Sequence, residues 1–233
     1  MLLGFLKGNV LAPGLVAAIN LILHWTRSTA RRTSQRVCRG RSAVWLLLLR
    51  AKALRKRIQD LAVVVLDRPR HARLVEAIRS SNAMVRMISD GDITAAIAPS
   101  IPGSGVDLYT GIGGAPEAVL AAAAIRCLGG DLQTMMWPRD EEEKKQAIEQ
   151  GFTEELQGVF HAADLAKGNN IIFCATGVSD SPLLRGVRVT GHTAVTHSIL
   201  MRARSKTVRM IEAYHDLANK TIHLRSTKRE TPI

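Results

Sequence analysis

Aromatic residues are scarce: Phe, Trp and Tyr make up 4% of the 233 residues. The three cysteines, Cys38, Cys127 and Cys174, are far apart and odd in number, and no CxxC pair occurs. That excludes a disulfide framework and a cysteine zinc site, and implies free thiols in a reducing compartment. No uninterrupted apolar run approaches the roughly 20 residues that a membrane-crossing helix needs. The apolar stretch from Met1 to Trp25 is broken by Lys7, Asn9, Pro13, Gly14, Asn20 and His24. Familiar catalytic signatures are missing too. There is no GxGxxG loop, no P-loop Lys-Ser/Thr, no HExxH and no GxSxG. The histidines (His24, His71, His161, His192, His197, His215 and His223) are dispersed without metal-ligand spacing, so each reads as a surface or core histidine.

Acids are almost absent from residues 1–60, which hold twelve basic side chains and only Asp60, a net of +11. The remainder has twenty basic and nineteen acidic side chains, so the overall charge of +12 belongs to one segment. A nucleic-acid partner would call for aromatic stacking platforms among those basic residues, and none is interleaved. An Arg-rich, acid-poor leader fits an organelle transit peptide. It fits a signal peptide less well, because the charge follows the apolar run. The expected organisation is a basic and apolar leader over residues 1–50 and a main domain over 51–233.

The main domain alternates strands and helices. Leu61–Leu66 (LAVVVL) reads as a strand buried on both faces. A helix over His71–Ser81, a strand over Val85–Ile88, a short helix over Asp92–Ala98 and a strand over Val106–Tyr109 follow. Pro116–Leu128 is a helix closed by Gly129 and Gly130. Glu141–Gln150 reads as a polar helix, Ile171–Ala175 (IIFCA) as another buried strand, and Thr193–Arg202 with Thr207–His215 as a closing antiparallel pair. This order predicts an α/β sandwich.

Strand-to-helix turns are where α/β folds bind anions. Asp67-Arg68-Pro69-Arg70-His71 follows the first strand, and its two guanidinium groups suit a phosphate. Taken alone it is also an ordinary solvated turn. Asp90-Gly91-Asp92 follows the second strand and suits a metal or sugar hydroxyls, or equally a tight turn with a helix cap. Gly111-Ile112-Gly113-Gly114-Ala115-Pro116-Glu117 precedes the best helix. Its Glu117 is either a hard-metal ligand or a carboxylate stabilised by the helix dipole.

The order and wording of these segments carry more than any one of them. LAVVVLDRPRH, ISDGD, YTGIGGAPEAVLAAAAIRCLGGD, FCATGV and LLRGV closely resemble the second half of class II fructose-1,6-bisphosphatases, including those that also take sedoheptulose 1,7-bisphosphate. The resemblance runs from about Ala51 to the region of Leu224. It implies the layered α/β sandwich of inositol monophosphatase-type enzymes, with only the C-terminal half present. It further implies hydrolysis of the 1-phosphate of fructose 1,6-bisphosphate with Mn²⁺ or Mg²⁺, in gluconeogenesis or the Calvin cycle. A cytoplasmic location and a homo-oligomer in the full family form go with it, with no nucleic-acid and no membrane partner. By the same resemblance Arg68, Pro69 and Arg70 contact substrate phosphate, Asp90, Gly91 and Asp92 hold sugar hydroxyls, Gly114 contacts substrate, and Glu117 binds metal. The family's GEGE-type and DP-Ile/Leu-Asp/Glu-GT-type carboxylate motifs are absent from residues 1–60, so the catalytic carboxylates are not identified. The abrupt join at Ala51 suggests a frame error, a misplaced start or a truncated copy. Val178-Ser179-Asp180-Ser181-Pro182 also departs from the family's Ile-Thr and Gly pattern. A non-catalytic sugar-phosphate binding module that uses Arg68, Arg70 and Asp90 is the rival reading.

Overall fold

The apolar run LAVVVL becomes the central strand of a parallel sheet in the computed structural model of the protein. The structure describes residues 17–18, 43–138, 140–153, 156, 158–181 and 183–219. Strand β1 is Ala17–Ala18, helix α1 is Ala43–Leu54, β2 is Ala62–Leu66, α2 is Ala72–Ser80, β3 is Met84–Ile88, α3 is Asp92–Ile97 and β4 is Leu108–Tyr109. Then come α4 (Ala115–Leu128), β5 (Gln133–Met136), α5 (Glu141–Glu149), β6 (Phe160–His161) and α6 (Ala162–Leu165). The last strands are β7 (Ile172–Thr176), β8 (Arg188–Thr190), β9 (Thr193–Arg202) and β10 (Thr207–Asp216). The fold is mixed α/β, and the described residues form one parallel sheet and two antiparallel ones.

Strand β2 lies between β3 and β4 and pairs with both in parallel. Its side chains divide between two cores, as alternation across a strand requires. Val63 and Val65 pack with α1 and α2 residues Leu46, Leu47, Ala51, Val75 and Ile78. Val64 points the other way, into the cluster built by α3, α4, β7 and β9. All three valines have no exposed surface, which explains why the run is continuously apolar.

Helix α4 is the centre of the second core. Ala118, Ala121, Ala122, Ala123 and Ala124 are buried around its circumference, because both Val64 of the parallel sheet and Phe173, Ile199 and Met201 of the antiparallel sheet belong to that core. Small side chains let a helix fit between packed layers at close range. Pro116 sits in its first turn and Gly129, in the left-handed region at φ 82°, closes it.

Strands β9 and β10 pair over ten positions, from Arg202 opposite Thr207 to Thr193 opposite Asp216. Strand β7 pairs with β9 through Phe173 opposite Met201 and Ala175 opposite Ile199. The structure corrects the sequence reading of IIFCA as a strand buried on both sides. Phe173 and Ala175 are buried, whereas Ile172 is 50% exposed and Cys174 is exposed. Among the described residues no layer covers that outer face. Strand β4 is also shorter than the expected Val106–Tyr109, although Val106 is buried.

The boundary expected after Arg50 falls inside α1. Leu46 and Leu47 pack in the first core, and buried Arg50 donates from Nε to the Asp107 carbonyl at 2.6 Å. Lys56 pairs with the Asp107 carboxylate at 2.7 Å, and that carboxylate also accepts from the Ala62 N–H. Residues 43–50 are thus part of the folded unit; most of the leader lies outside the described residues. No helix among the described residues is long and apolar enough to cross a membrane.

Helix α1 gives a direct test of this packing. Leu47 is 1% exposed and its neighbour Leu48 is 50% exposed. Leu47→Ala should cost about 2–5 kcal/mol in urea denaturation. Leu48→Ala should stay within about 0.5 kcal/mol of the parent. Equal effects of the two would show that α1 does not pack as described.

Candidate functional site

Three strand ends supply the segments singled out by sequence. At the end of β3, Gly91 takes a left-handed φ of 85°, and the Asp90 Oδ1 accepts from the Gly91 N–H at 2.8 Å. Thr94 Oγ1 donates to the Gly91 carbonyl at 2.8 Å, which ties the turn to the start of α3. Asp92 opens that helix. Burial pushes its carboxyl above the usual range, and the nearby Glu117 and Asp90 carboxylates push in the same direction.

Glu117 comes from the first turn of α4. Gly114 precedes it, and a Cβ at Gly114 would collide with Glu117 Oε2. A side chain at 114 would therefore move the carboxylate. The glycine matters here for space, since its φ of −76° is open to any residue.

Asp90, Gly91, Asp92 and Glu117 line one cleft of about 630 Å³. That volume lies in the range of small-molecule sites. The antiparallel sheet completes the lining with Thr176, Gly177, Val178, Ser179, Asp180 and Ser181. Sequence reading quoted these residues within a motif and a departure from it, but gave them no role. A fourth strand-to-turn junction after IIFCA was the available signal.

Arg68, Pro69 and Arg70 lie outside that lining, at the end of β2. Arg68 donates to the Asp67 carbonyl at 2.8 Å. Arg70 donates to the Ile112 carbonyl from Nη2 at 2.7 Å and Nε at 3.2 Å. In this structure one guanidinium edge of Arg70 holds the glycine-rich loop.

His71, also missed as a site element, holds the same loop. Its ring is buried, 2.8 Å from both the Leu66 carbonyl and the Ile112 amide. The Ile112 N–H must donate to Nε2, so Nδ1 carries the proton and donates to Leu66. The imidazole is neutral in this arrangement. Burial lowers its pKa, and the Arg70 and Arg68 charges add to that. Gly111 packs on the ring, where a Cβ would sit 3.2 Å from Cε1.

At the end of β4, two buried hydroxyls, Tyr109 Oη and Thr110 Oγ1, have no hydrogen-bond partner among the described residues. Burial raises the Tyr109 pKa, and the Asp92 carboxylate raises it further. The oxygen donors here are of the type that hard cations prefer. Among the described residues, however, no three His, Cys, Asp or Glu side chains converge as a metal site. Glu117 with its neighbours does not form a complete metal site here.

The His71 clasp makes stability depend on pH. A lowered histidine pKa means that the folded state binds fewer protons than the unfolded chain, so stability rises with pH. The contribution is full above the ordinary value of about 6.5, and it is lost as pH falls from there through the lower value of the folded state. His71→Ala should cost about 1–3 kcal/mol at pH 8, because the Ile112 N–H loses its acceptor. The gap between parent and variant should shrink at pH 5. A gap independent of pH would rule out the neutral clasp.

Comparisons with known proteins agree with the motifs. The family model for bacterial fructose-1,6-bisphosphatase, glpX-encoded, matches residues 31–215, beginning upstream of Ala51. A D-fructose 1,6-bisphosphatase class 2/sedoheptulose 1,7-bisphosphatase of Synechococcus sp. JA-3-3Ab is 40% identical over 177 residues, which is 71% of this chain and 51% of that protein. The class 2 fructose-1,6-bisphosphatase of Haemophilus influenzae is 40% identical over 178 residues, or 72% of this chain and 54% of that protein. The chain spans about half the length of these curated relatives. With the family model matched over most of its length, the chain belongs to the glpX-type, class 2 fructose-1,6-bisphosphatase family.

Proposed function

We propose that this chain serves the metal-dependent removal of the 1-phosphate from fructose 1,6-bisphosphate. The observation that carries this is the shared cleft, where Asp90 and Asp92 from one strand end meet Glu117 from another. Carboxylates accept hydrogen bonds from sugar hydroxyls, and Gly91 lets the backbone approach a ligand closely. Arg68 and Arg70, at the neighbouring strand end, supply positive charge for a phosphate. Glu117 is this region's contribution to a Mn²⁺ or Mg²⁺ site, and Gly114 leaves room for its carboxylate. The metal, when bound, would neutralise phosphate charge and activate the attacking oxygen. Its remaining ligands would come from outside the described residues.

The names of the relatives support fructose 1,6-bisphosphate as substrate and, for the Synechococcus protein, sedoheptulose 1,7-bisphosphate as well. The family fold would be the inositol monophosphatase-like sandwich, of which the main domain, with the whole of α1, would form the C-terminal half. A cytoplasmic homo-oligomer working in gluconeogenesis or the Calvin cycle completes the reading. The second reading is a non-catalytic sugar-phosphate binding module that uses Arg68, Arg70 and Asp90.

Calorimetry and phosphate release on the full chain separate the two. For the enzyme, fructose 1,6-bisphosphate should bind and release phosphate only with Mn²⁺, and Glu117→Ala should abolish release. For the module, binding should persist in EDTA without release, and Asp90→Ala should weaken it about tenfold. No binding under either condition would exclude both.

A further inference from the structure

The junction after β7 is built as firmly as the site segments at the ends of β2, β3 and β4. Strands β7 and β8 pair with different parts of one edge of β9, through Ser198–Arg202 and Thr193–Val195 respectively. Loop 177–187 joins them, and its described residues are 177–181 and 183–187. His197 of β9 holds both arms. Its carbonyl accepts from the Gly177 N–H at 3.0 Å and its Nδ1 from the Arg185 N–H at 3.4 Å. The Val187 N–H donates to the Val178 carbonyl at 3.2 Å and closes the neck.

Two side chains then lock the interior. Asp180 Oδ1 accepts from the Gly186 N–H at 2.9 Å. Ser181 Oγ accepts from the Leu184 N–H at 2.9 Å and donates to the Leu184 carbonyl at 3.0 Å. The arms touch along their backbones. A Cβ on Gly186 would lie 2.9 Å from Ser179 Cα, and one on Gly177 would collide with the Arg185 carbonyl. Ser179 and Asp180 remain exposed at the cleft. They are held in place before any ligand arrives, which lowers the cost of ordering them on binding.

The chemistry of the lining says which part of a ligand belongs against this wall. Among the described residues, four carboxylates and several hydroxyls line the cleft, and no Lys or Arg does. A phosphate finds no positive side chain there, whereas a hydroxyl-bearing carbon chain finds acceptors contributed by both sheets.

We propose that loop 177–187 is a length gauge, which sets how many hydroxyl-bearing carbons of a sugar phosphate the cleft accepts. Asp180 is its positioning residue, acting through Gly186. This rests on the reading of the cleft as a sugar-phosphate site.

The test compares binding of fructose 1,6-bisphosphate and sedoheptulose 1,7-bisphosphate to the full chain with Mn²⁺ present. Asp180→Ala should shift the ratio of the two affinities about fivefold. Asp180→Asn keeps an acceptor for Gly186 and should restore the parent ratio. Hydrogen exchange without ligand gives a second readout. The Gly186 amide should exchange about tenfold faster in Asp180→Ala and stay protected in Asp180→Asn. If the parent binds, Asp90→Ala weakens binding, and Asp180→Ala leaves both the ratio and the exchange unchanged, the gauge is wrong and the functional reading stands. If the parent binds neither sugar, the functional reading falls and takes the gauge with it.

Discussion

Everything at the cleft depends on burying one helix between two sheets. Helix α4 contacts the parallel sheet's core through Val64 and the antiparallel sheet through Phe173, Ile199 and Met201. Such a helix can carry little bulk, and its run of alanines meets that constraint. The same packing brings the carboxyl end of β3, the first turn of α4 and the end of β7 to one rim. Asp90, Glu117 and Thr176 share a site because the layers beneath them are held together.

The glycine-rich loop is fixed by groups that do not contact the cleft. Ile112 is held at its N–H by His71 and at its carbonyl by Arg70. Both holders come from the segment that follows β2, so two of the strand junctions are mechanically joined. Displacing either side chain would loosen the start of α4, where Glu117 sits. Elsewhere the described structure uses the same device. Arg126 donates to the Ala166 and Gly168 carbonyls, and His161 pairs with Asp131 at 2.6 Å.

Much of this was legible in the amino-acid order. The continuous valines of β2 announced burial on both faces, and Pro116 with Gly129 bracketed α4. Asp90, Asp92 and Glu117, from turns far apart in the chain, line one cleft. Other features left no such trace. Ile172 and Phe173 look alike in sequence, yet only Phe173 meets α4, since exposure depends on which layers cover a sheet. The backbone carbonyl that takes up Arg70 lies 42 positions away, on Ile112 of the glycine-rich segment, and nothing in either motif announces that the two are joined. Buried His71 has the composition of any core histidine, and only the backbone groups around it reveal its work. The wall at Ser179–Ser181 stood out as a departure from a pattern, and its packing against Gly186 became visible only in three dimensions.

Strand β10 carries a last consequence. Its ten residues pair with β9 along one edge, and among the described residues the other edge has no partner. Val208, Met210, Ile211 and Tyr214 are exposed along it. Such an edge offers a ready template for a foreign strand, and charge is what commonly discourages that pairing. Here Arg209 and Glu212 stand among the apolar residues, with Glu212 already paired to Arg185 at 3.0 Å. With Asp216 at its end, charge interrupts the apolar run of this open edge at three described positions, and removing one of them would lengthen the stretch a foreign strand could pair with.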